Sequence, residues 1–313
     1  MDGADLILPD TNYGHVLRVY SPFSHNTVTS IVGYLSGQTV KSDGPLFEYS
    51  SYGLWGNSAG EMFYTDYERG YVMKLTHDGT SMTAIAGVGV YGCSSGAETS
   101  IATMTSLCYP HGIVGDTLGS IYFSEYNNHQ VRRVDTSGFL TTVVGNGGCS
   151  YSFEYPSFGR NASVCYPGSL TMDPVSNDII YIAVTYGGSS YYHYIAAWRI
   201  SDGHFETILS NNNNNGNAYY IHSITGLWAS PNGLLYVSDP SSAYVYKFDR
   251  GSGSLSIAAG RNEHGPPAEN SNARSVALGY AEALCGNSAG DIFIAQSSYA
   301  YRISVVRAAS NLI

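Results

Sequence analysis

Residues 112–145 read GIVGDTLGSIYFSEYNNHQVRRVDTSGFLTTVVG. An apolar run meets a small polar turn, then "SIYFSE" alternates up to an acid, a second turn leads into the alternating "HQVRRVD", and a third strand ends on glycine. Alternation sends successive side chains to opposite faces, which suits a sheet packed between two others. The same order recurs in 53–87, GLWGNSAGEMFYTDYERGYVMKLTHDGTSMTAIAG, and in 226–260, GLWASPNGLLYVSDPSSAYVYKFDRGSGSLSIAAG. Weaker copies occupy 168–209, with a longer middle turn, and 281–307, which stops before a clear third strand. The first copy starts inside the unit: aligning Met1-Asp2 with Met172-Asp173 puts Met1 at the end of a strand whose beginning is absent.

Gly33, Gly87, Gly145 and Gly260 end four of these units and mark a period of about 55 residues, the last gap spanning two units. Six units of about four strands each predict an all-β fold, a six-bladed β-propeller of four-stranded antiparallel blades. The first blade lacks its innermost strand in this chain. The expected domain is a single one, 1–313, with blades at roughly 1–33, 34–87, 88–145, 146–209, 210–260 and 261–313. The tail "RAASNLI" is placed to supply the missing strand in cis; a strand from a neighbouring molecule would supply it in trans and build a polymer. A third alternative is that the sequence is one piece of a longer chain.

The pentapeptide "GNSAG" stands at 56–60 and again at 286–290. Small residues and glycines suit a phosphate loop, but such a loop opens a helix, and here an acid and a strand follow. The expected role is a hairpin turn, with glycine at positive φ and Asn and Ser bonding local backbone.

Composition agrees with many short strands joined by tight turns. Charged residues make up 12% of the chain, while there are 36 Gly and 28 Tyr. The net charge of −10, with no basic cluster longer than Arg132-Arg133, argues against nucleic acid as a partner. No apolar run is long enough for a membrane-spanning helix. "MDGADLILPD" lacks the pattern of a signal peptide, so either the protein is cytosolic or a leader lies outside this chain.

The third unit, from YPHGI through NNHQVRRV to the terminal glycine, resembles the NHL repeat; the likeness is clear in the second and fifth units and thin in the fourth and sixth. The resemblance implies a six-bladed propeller and, because one fold hosts many activities, specifies function poorly. Some NHL-like lyases hold zinc with three channel histidines. His111 and His222, both preceding expected innermost strands, are the candidates, and the third is missing. No catalytic residue, metal ligand set or cofactor is assigned.

Four of the five cysteines fall into a repeated pattern. Cys93 and Cys108 are 15 residues apart, Cys149 and Cys165 are 16 apart, and each pair ends in "CYP" at the entry to the next unit. Equivalent places in successive units predict bridges Cys93–Cys108 and Cys149–Cys165, hence an oxidising, extracellular or cell-surface compartment. Cys285 aligns with Trp55 and reads as a lone buried hydrophobe. "NAS" at Asn161, inside the second loop, is an N-glycosylation candidate.

Asp10, Asp66, Glu125 and Asp239 recur at the end of the second strand, where the fourth and sixth units have Val184 and Gln296. Repeated around a ring they are too far apart to share one ion, so each is expected to accept hydrogen bonds from its own turn. His25, His77, His193 and His204 fall in expected outer turns. The Tyr-rich stretches offer Tyr191, Tyr192, Tyr194, Tyr219 and Tyr220 as candidate binding loops for proteins or sugars. The reading is a non-enzymatic extracellular structural or interaction propeller, self-associating or part of a larger extracellular assembly such as a fibre. Its alternatives are a carbohydrate-binding propeller and a metal-dependent lyase- or lactonase-like enzyme.

Overall fold

The computed structural model describes residues 6–10, 15–20, 27–32, 51–76, 81–89, 93, 100–149, 158–186, 192–211, 221–265, 271–297 and 302–307, the first three segments by backbone alone. They form six antiparallel sheets. The first contains β1 (Leu6–Asp10), β2 (His15–Tyr20) and β3 (Thr27–Val32). The second has β4 (Ser51–Gly56), β5 (Met62–Asp66), β6 (Tyr71–Leu75) and β7 (Met82–Ala86). A short β8 (Ser100–Ile101) precedes β9 (Pro110–Gly115), β10 (Ile121–Glu125), β11 (Gln130–Val134) and β12 (Phe139–Val144) in the third. The fourth runs β13 (Pro167–Met172), β14 (Ile179–Tyr186), β15 (Tyr192–Arg199) and β16 (Phe205–Ser210), and the fifth β17 (Gly226–Ala229), β18 (Leu234–Asp239), β19 (Tyr244–Asp249) and β20 (Leu255–Gly260). The sixth has β21 (Ala281–Gly286), β22 (Ile292–Gln296) and β23 (Arg302–Val306). Two compact units divide the chain, Met1–Val143 and Val144–Ile313.

Three sheets have four strands, one has five and two have three. Six uniform four-stranded blades are therefore not what the described residues give. The extra strand is β8, which comes from the first cysteine loop and pairs Ile101 with Phe139 and Ser100 with Leu140 on the outer side of β12. Repeat alignment misses it because it pairs over only two residues, too short a run for alternation to show; the second cysteine loop makes the matching contact as a single bridge, Phe158 with His204. The tail 308–313, expected as a closing strand, lies outside the described residues.

Both "GNSAG" segments are the expected hairpins. Asn57 Oδ1 accepts the Ala59 and Glu61 amides, and Asn287 Oδ1 accepts the Asp291 amide. Gly60 and Gly290 sit at φ 77° and 86°, the left-handed region where a Cβ is disfavoured. Their amides donate back to the Asn57 and Asn287 carbonyls at 3.0 Å.

Neighbouring sheets meet at their first strands. Between the second and third, Phe63, Val72, Ile113, Phe123 and Leu140 are buried together; between the fourth and fifth, Tyr181, Ile195, Leu227, Leu235 and Phe248 are. Fit there is set by glycine. A Cβ on Gly115 would overlap the Trp55 ring, and one on Gly286 would overlap the Trp228 ring, so two "GLW" tryptophans each lie on a glycine of the next sheet. Gly53 sits against the His111 carbonyl in the same way, and Gly226 against Leu284 N, with an added Cβ only 2.9 Å away.

Gly115→Ala should therefore cost about 1–3 kcal/mol, the usual range for overpacking a filled core. Urea unfolding measures it. Combining it with Trp55→Leu should lose less than the two single changes added together.

Candidate functional site

In the third, fifth and sixth sheets the last residue of the second strand carries a polar side chain that reaches back to the entry of its own sheet. Glu125 Oε1 accepts the Cys108 amide at 2.8 Å, Asp239 Oδ2 the His222 amide at 2.8 Å, and Gln296 Oε1 the Gly279 amide at 2.6 Å. Asp66 Oδ1 accepts the Arg69 amide, and Asp239 Oδ1 accepts Ser223 Oγ and the Ser241 and Ser242 amides. Asp66 and Asp239 thus cap their own turns as expected, whereas Glu125 accepts the Cys108 amide at the entry of its sheet instead. Asp10 lies in β1, whose side chains are outside the described set.

In the third sheet this position has become a buried ion pair. Arg132 Nη1 donates to Glu125 Oε2 at 2.8 Å, and both side chains are fully buried. Asn128 Nδ2 also donates to Glu125. Burial pushes the Glu125 carboxyl up, against the pull of Arg132 and its hydrogen bonds.

Aromatic rings from the second and third sheets converge nearby in sequence, at the entries of β4 and β9 and after β5 and β10. His111, on β9, stacks on Tyr52 of β4 with centroids 4.6 Å apart and on Tyr126, after β10, at 5.7 Å. Tyr67, after β5, meets His111 edge-on at 6.1 Å and lies 4.7 Å from both Tyr52 and Tyr109. Tyr52 is the most open ring, 46% exposed; the other four are half-buried.

Local structure explains each placement. Thr65 Oγ1 accepts the Gly53 amide and donates to the His111 carbonyl at 2.7 Å, tying β4 to β9. Tyr109 has φ 51° between the bridged Cys108 and Pro110, and the Tyr126 amide donates to its carbonyl at 3.1 Å. A non-glycine residue held in the left-handed region costs conformational energy, and such residues gather at functional sites. Burial lowers the His111 pKa to about 4, so the imidazole is neutral at physiological pH. Its Nδ1 is buried with no hydrogen-bond partner among the described residues. The result is a partly exposed cluster of rings around a neutral imidazole, with Glu68 and Arg69 following Tyr67 in the adjoining turn.

Other expected residues fall elsewhere. The cysteines form the expected bridges, Cys93–Cys108 and Cys149–Cys165. Asn161 is exposed in a 3₁₀ turn, Gly159–Asn161. His193 is not in an outer turn: it is buried in β15, its Nδ1 3.2 Å from Thr185 Oγ1. Tyr192 and Tyr194 are likewise strand residues of β15 rather than loop residues, because the alternating "YHYIAAW" extends the strand back to Tyr192. Tyr191, Tyr219, Tyr220, His25 and His77 lie outside the described residues. His222 precedes β17 and is exposed, its Nδ1 3.6 Å from Asp239, whereas His111 is inside β9; the two do not hold equivalent places. Among the described residues no group of three His, Cys, Asp or Glu side chains is set to hold a metal ion. Burial pushes the Cys285 thiol up to about 12, which keeps it protonated.

No protein-family model matches the chain, and no curated protein does. Solved structures do. A chain from a crystal structure titled as a nidogen/laminin complex aligns with TM-score 0.65 and 12% identity, over 97% of this chain and 89% of that one. A streptogramin B lyase aligns with TM-score 0.57 and 11% identity over 100% of this chain and 79% of that one. A gluconolactonase from Xanthomonas campestris gives TM-score 0.56 and 15% identity over 84% and 74%. These likenesses define the class of fold, an all-β propeller of antiparallel sheets.

Two outcomes test the site. The unfolded imidazole binds its proton near 6.5 and the folded one near 4, so between these values the unfolded chain holds more protons and stability falls as the pH drops. The raised Asp66 and Glu125 carboxyls act in the opposite sense, so the measurement is a difference. Wild type minus His111→Phe stability, from urea melts, should decline from pH 6.5 to pH 4. Separately, Glu125→Ala strands the Arg132 charge and should cost about 3–5 kcal/mol, while Glu125→Leu with Arg132→Met should cost less than that single change.

Proposed function

We propose that the chain is a non-enzymatic interaction module, an NHL-type propeller whose six sheets are the blades of one domain, working outside the cell and binding its partner through the Tyr52, Tyr67, Tyr109, His111 and Tyr126 surface. The observation that carries this reading is the convergence of five rings from separate segments on a partly exposed patch. Aromatic side chains are enriched where proteins associate, and charges are depleted at the centres of such contacts. One similar chain comes from a structure titled as a complex of nidogen with laminin, so in that instance the fold occurs in a protein assembly. The two bridges are compatible with secretion. N-glycosylation at the exposed Asn161, and assembly of copies into a fibre or matrix, belong to the same proposal.

A photo-crosslinking residue placed at Tyr52 tests it in the native extracellular fluid. A discrete crosslinked product that disappears with Tyr67→Ala is expected, with none from the same probe at Leu118, whose side chain is exposed in the opposite turn of the third sheet. No product from position 52, or a stoichiometric channel metal with turnover of a lactone, would replace this reading by the enzymatic one suggested by the lyase and lactonase neighbours. Imaging of the purified chain decides the fibre branch: single particles at every concentration would remove it.

A further inference from the structure

We propose that Asn146 is a self-modifying site: the Gly147 amide nitrogen attacks the Asn146 side-chain carbonyl carbon, and water opens the resulting succinimide to aspartate and isoaspartate.

The chain holds three Asn-Gly pairs, at Asn146, Asn215 and Asn232. As sequence they are equivalent, since glycine has no side chain to shield its nitrogen. Asn215 lies outside the described residues. The structure separates the other two. Asn146 and Gly147 are exposed beside the second cysteine bridge, and Asn146 Oδ1 accepts the Gly148 amide at 2.8 Å. The ring closed by that bond runs through the Gly147 nitrogen, so the side-chain carbonyl is held folded back along the peptide that must attack it. The same bond puts a donor on Oδ1, where negative charge develops as the nitrogen adds. The Gly147 N–H, which must lose its proton, makes no hydrogen bond among the described residues. Asn232 differs on both counts. Its Oδ1 is turned upstream to Ser230 Oγ, and the Gly233 amide donates to the Ser230 carbonyl at 3.3 Å.

No reagent beyond water is needed. Hydroxide removes the Gly147 amide proton and the nitrogen bonds to Cγ of Asn146. The Cγ–Nδ2 bond then breaks, and Nδ2 leaves as ammonia with a proton from water. Water adds to either succinimide carbonyl, giving aspartate or isoaspartate, and nothing is oxidised or reduced.

The place gives the change a consequence. The Asn146 amide donates to the Ala162 carbonyl at 2.9 Å, its Nδ2 to the Asn161 carbonyl at 3.3 Å, and Ser163 Oγ to the Gly148 carbonyl at 2.9 Å. This turn is therefore laced to the one bearing the candidate glycosylation residue. Either product removes the Nδ2 donor that faces the Asn161 carbonyl and adds a negative charge. Conversion loosens that turn irreversibly.

The intact, disulfide-bonded chain should be held in heavy-oxygen water at mildly acid and mildly alkaline pH, digested in acid, and its peptides separated and identified by mass spectrometry. Heavy oxygen is expected at residue 146 in both aspartate and isoaspartate, entering faster at the alkaline pH and about tenfold or more faster than at Asn232. In the reduced, unfolded chain the two rates should converge. Gly148→Pro, which removes the donor, should slow residue 146 and leave Asn232 unchanged, with disulfide mapping and thermal unfolding to check that the loop still forms. Conversion at residue 146 no faster than at Asn232 in the folded chain, aspartate without isoaspartate, or no incorporation at residue 146 overturns the proposal. So does a difference that persists after unfolding, which would put its cause in the sequence, or an undiminished rate in a folded Gly148→Pro chain.

Discussion

Neighbouring sheets in each compact unit approach at their first strands until backbone meets backbone, and most of the sequence pattern follows from that approach. Gly53 packs on the His111 carbonyl, Gly226 on the Leu284 amide, and the Trp55 and Trp228 rings lie where Gly115 and Gly286 have no side chain. So close a contact displaces some first-strand backbone groups from the regular ladder, and register shifts fall in β4 between Ser51 and Leu54 and in β21 between Ala281 and Ala283. Hydroxyls take up the amides so released. Thr65, Ser124 and Ser238, each fully buried, accept the Gly53, Gly112 and Gly226 amides. A buried donor left without a partner would cost about 1–3 kcal/mol, so the small hydroxyl residue near the end of the second strand is as much a part of the repeat as the glycine it serves.

The same reasoning covers the few buried charges. With only 12% charged residues, those taken inside must be matched. Asp173 holds Arg250 from the neighbouring sheet, Tyr181 donates to the carboxylate, and Arg250 also donates to the Gly233 carbonyl and to Tyr181. Asp116 and Tyr122 make the corresponding carboxylate–phenol contact in the third sheet at 2.9 Å. Such networks contribute modest net stability, because desolvation offsets much of the attraction, but breaking one member leaves a charge stranded. They hold sheets in register more than they strengthen them.

Much of the fold was legible because the repeat is local. Strand alternation, turn glycines and the twin cysteine loops all lie within a few tens of residues, and each is read by comparing one copy with the next. Two features were not legible: β8 pairs over only two residues, too few for alternation to show, and the tyrosine density of the Tyr192–Tyr194 stretch, beside a lengthened middle turn, hides its alternation. The site was less visible for a different reason. Its five rings come from four separate stretches that only the packing of β4 against β9 brings together, and no stretch of the chain is dense in all of them. One signal was nevertheless present. Tyr52 and His111 occupy the same position of successive units, just before the first-strand glycine, and Tyr67 and Tyr126 share another, just after the acid.

That register also explains why one place on a repeating scaffold should be singled out. At the position of Tyr52 and His111 the later units carry Gly168, Thr225 and Glu282, and at that of Tyr67 and Tyr126 the fifth and sixth carry Pro240 and Ser297. Those substitutes are put to structural use: Thr225 donates to the Ala281 carbonyl, and Glu282 accepts Ser297 Oγ. None of those bonds requires a ring, and a ring costs more conformational freedom to fix than a hydroxyl does. Four aromatic choices at two equivalent positions of two adjacent units are therefore not what the shared architecture demands. What they add to it is a partly exposed surface of packed rings at the entry of two neighbouring sheets.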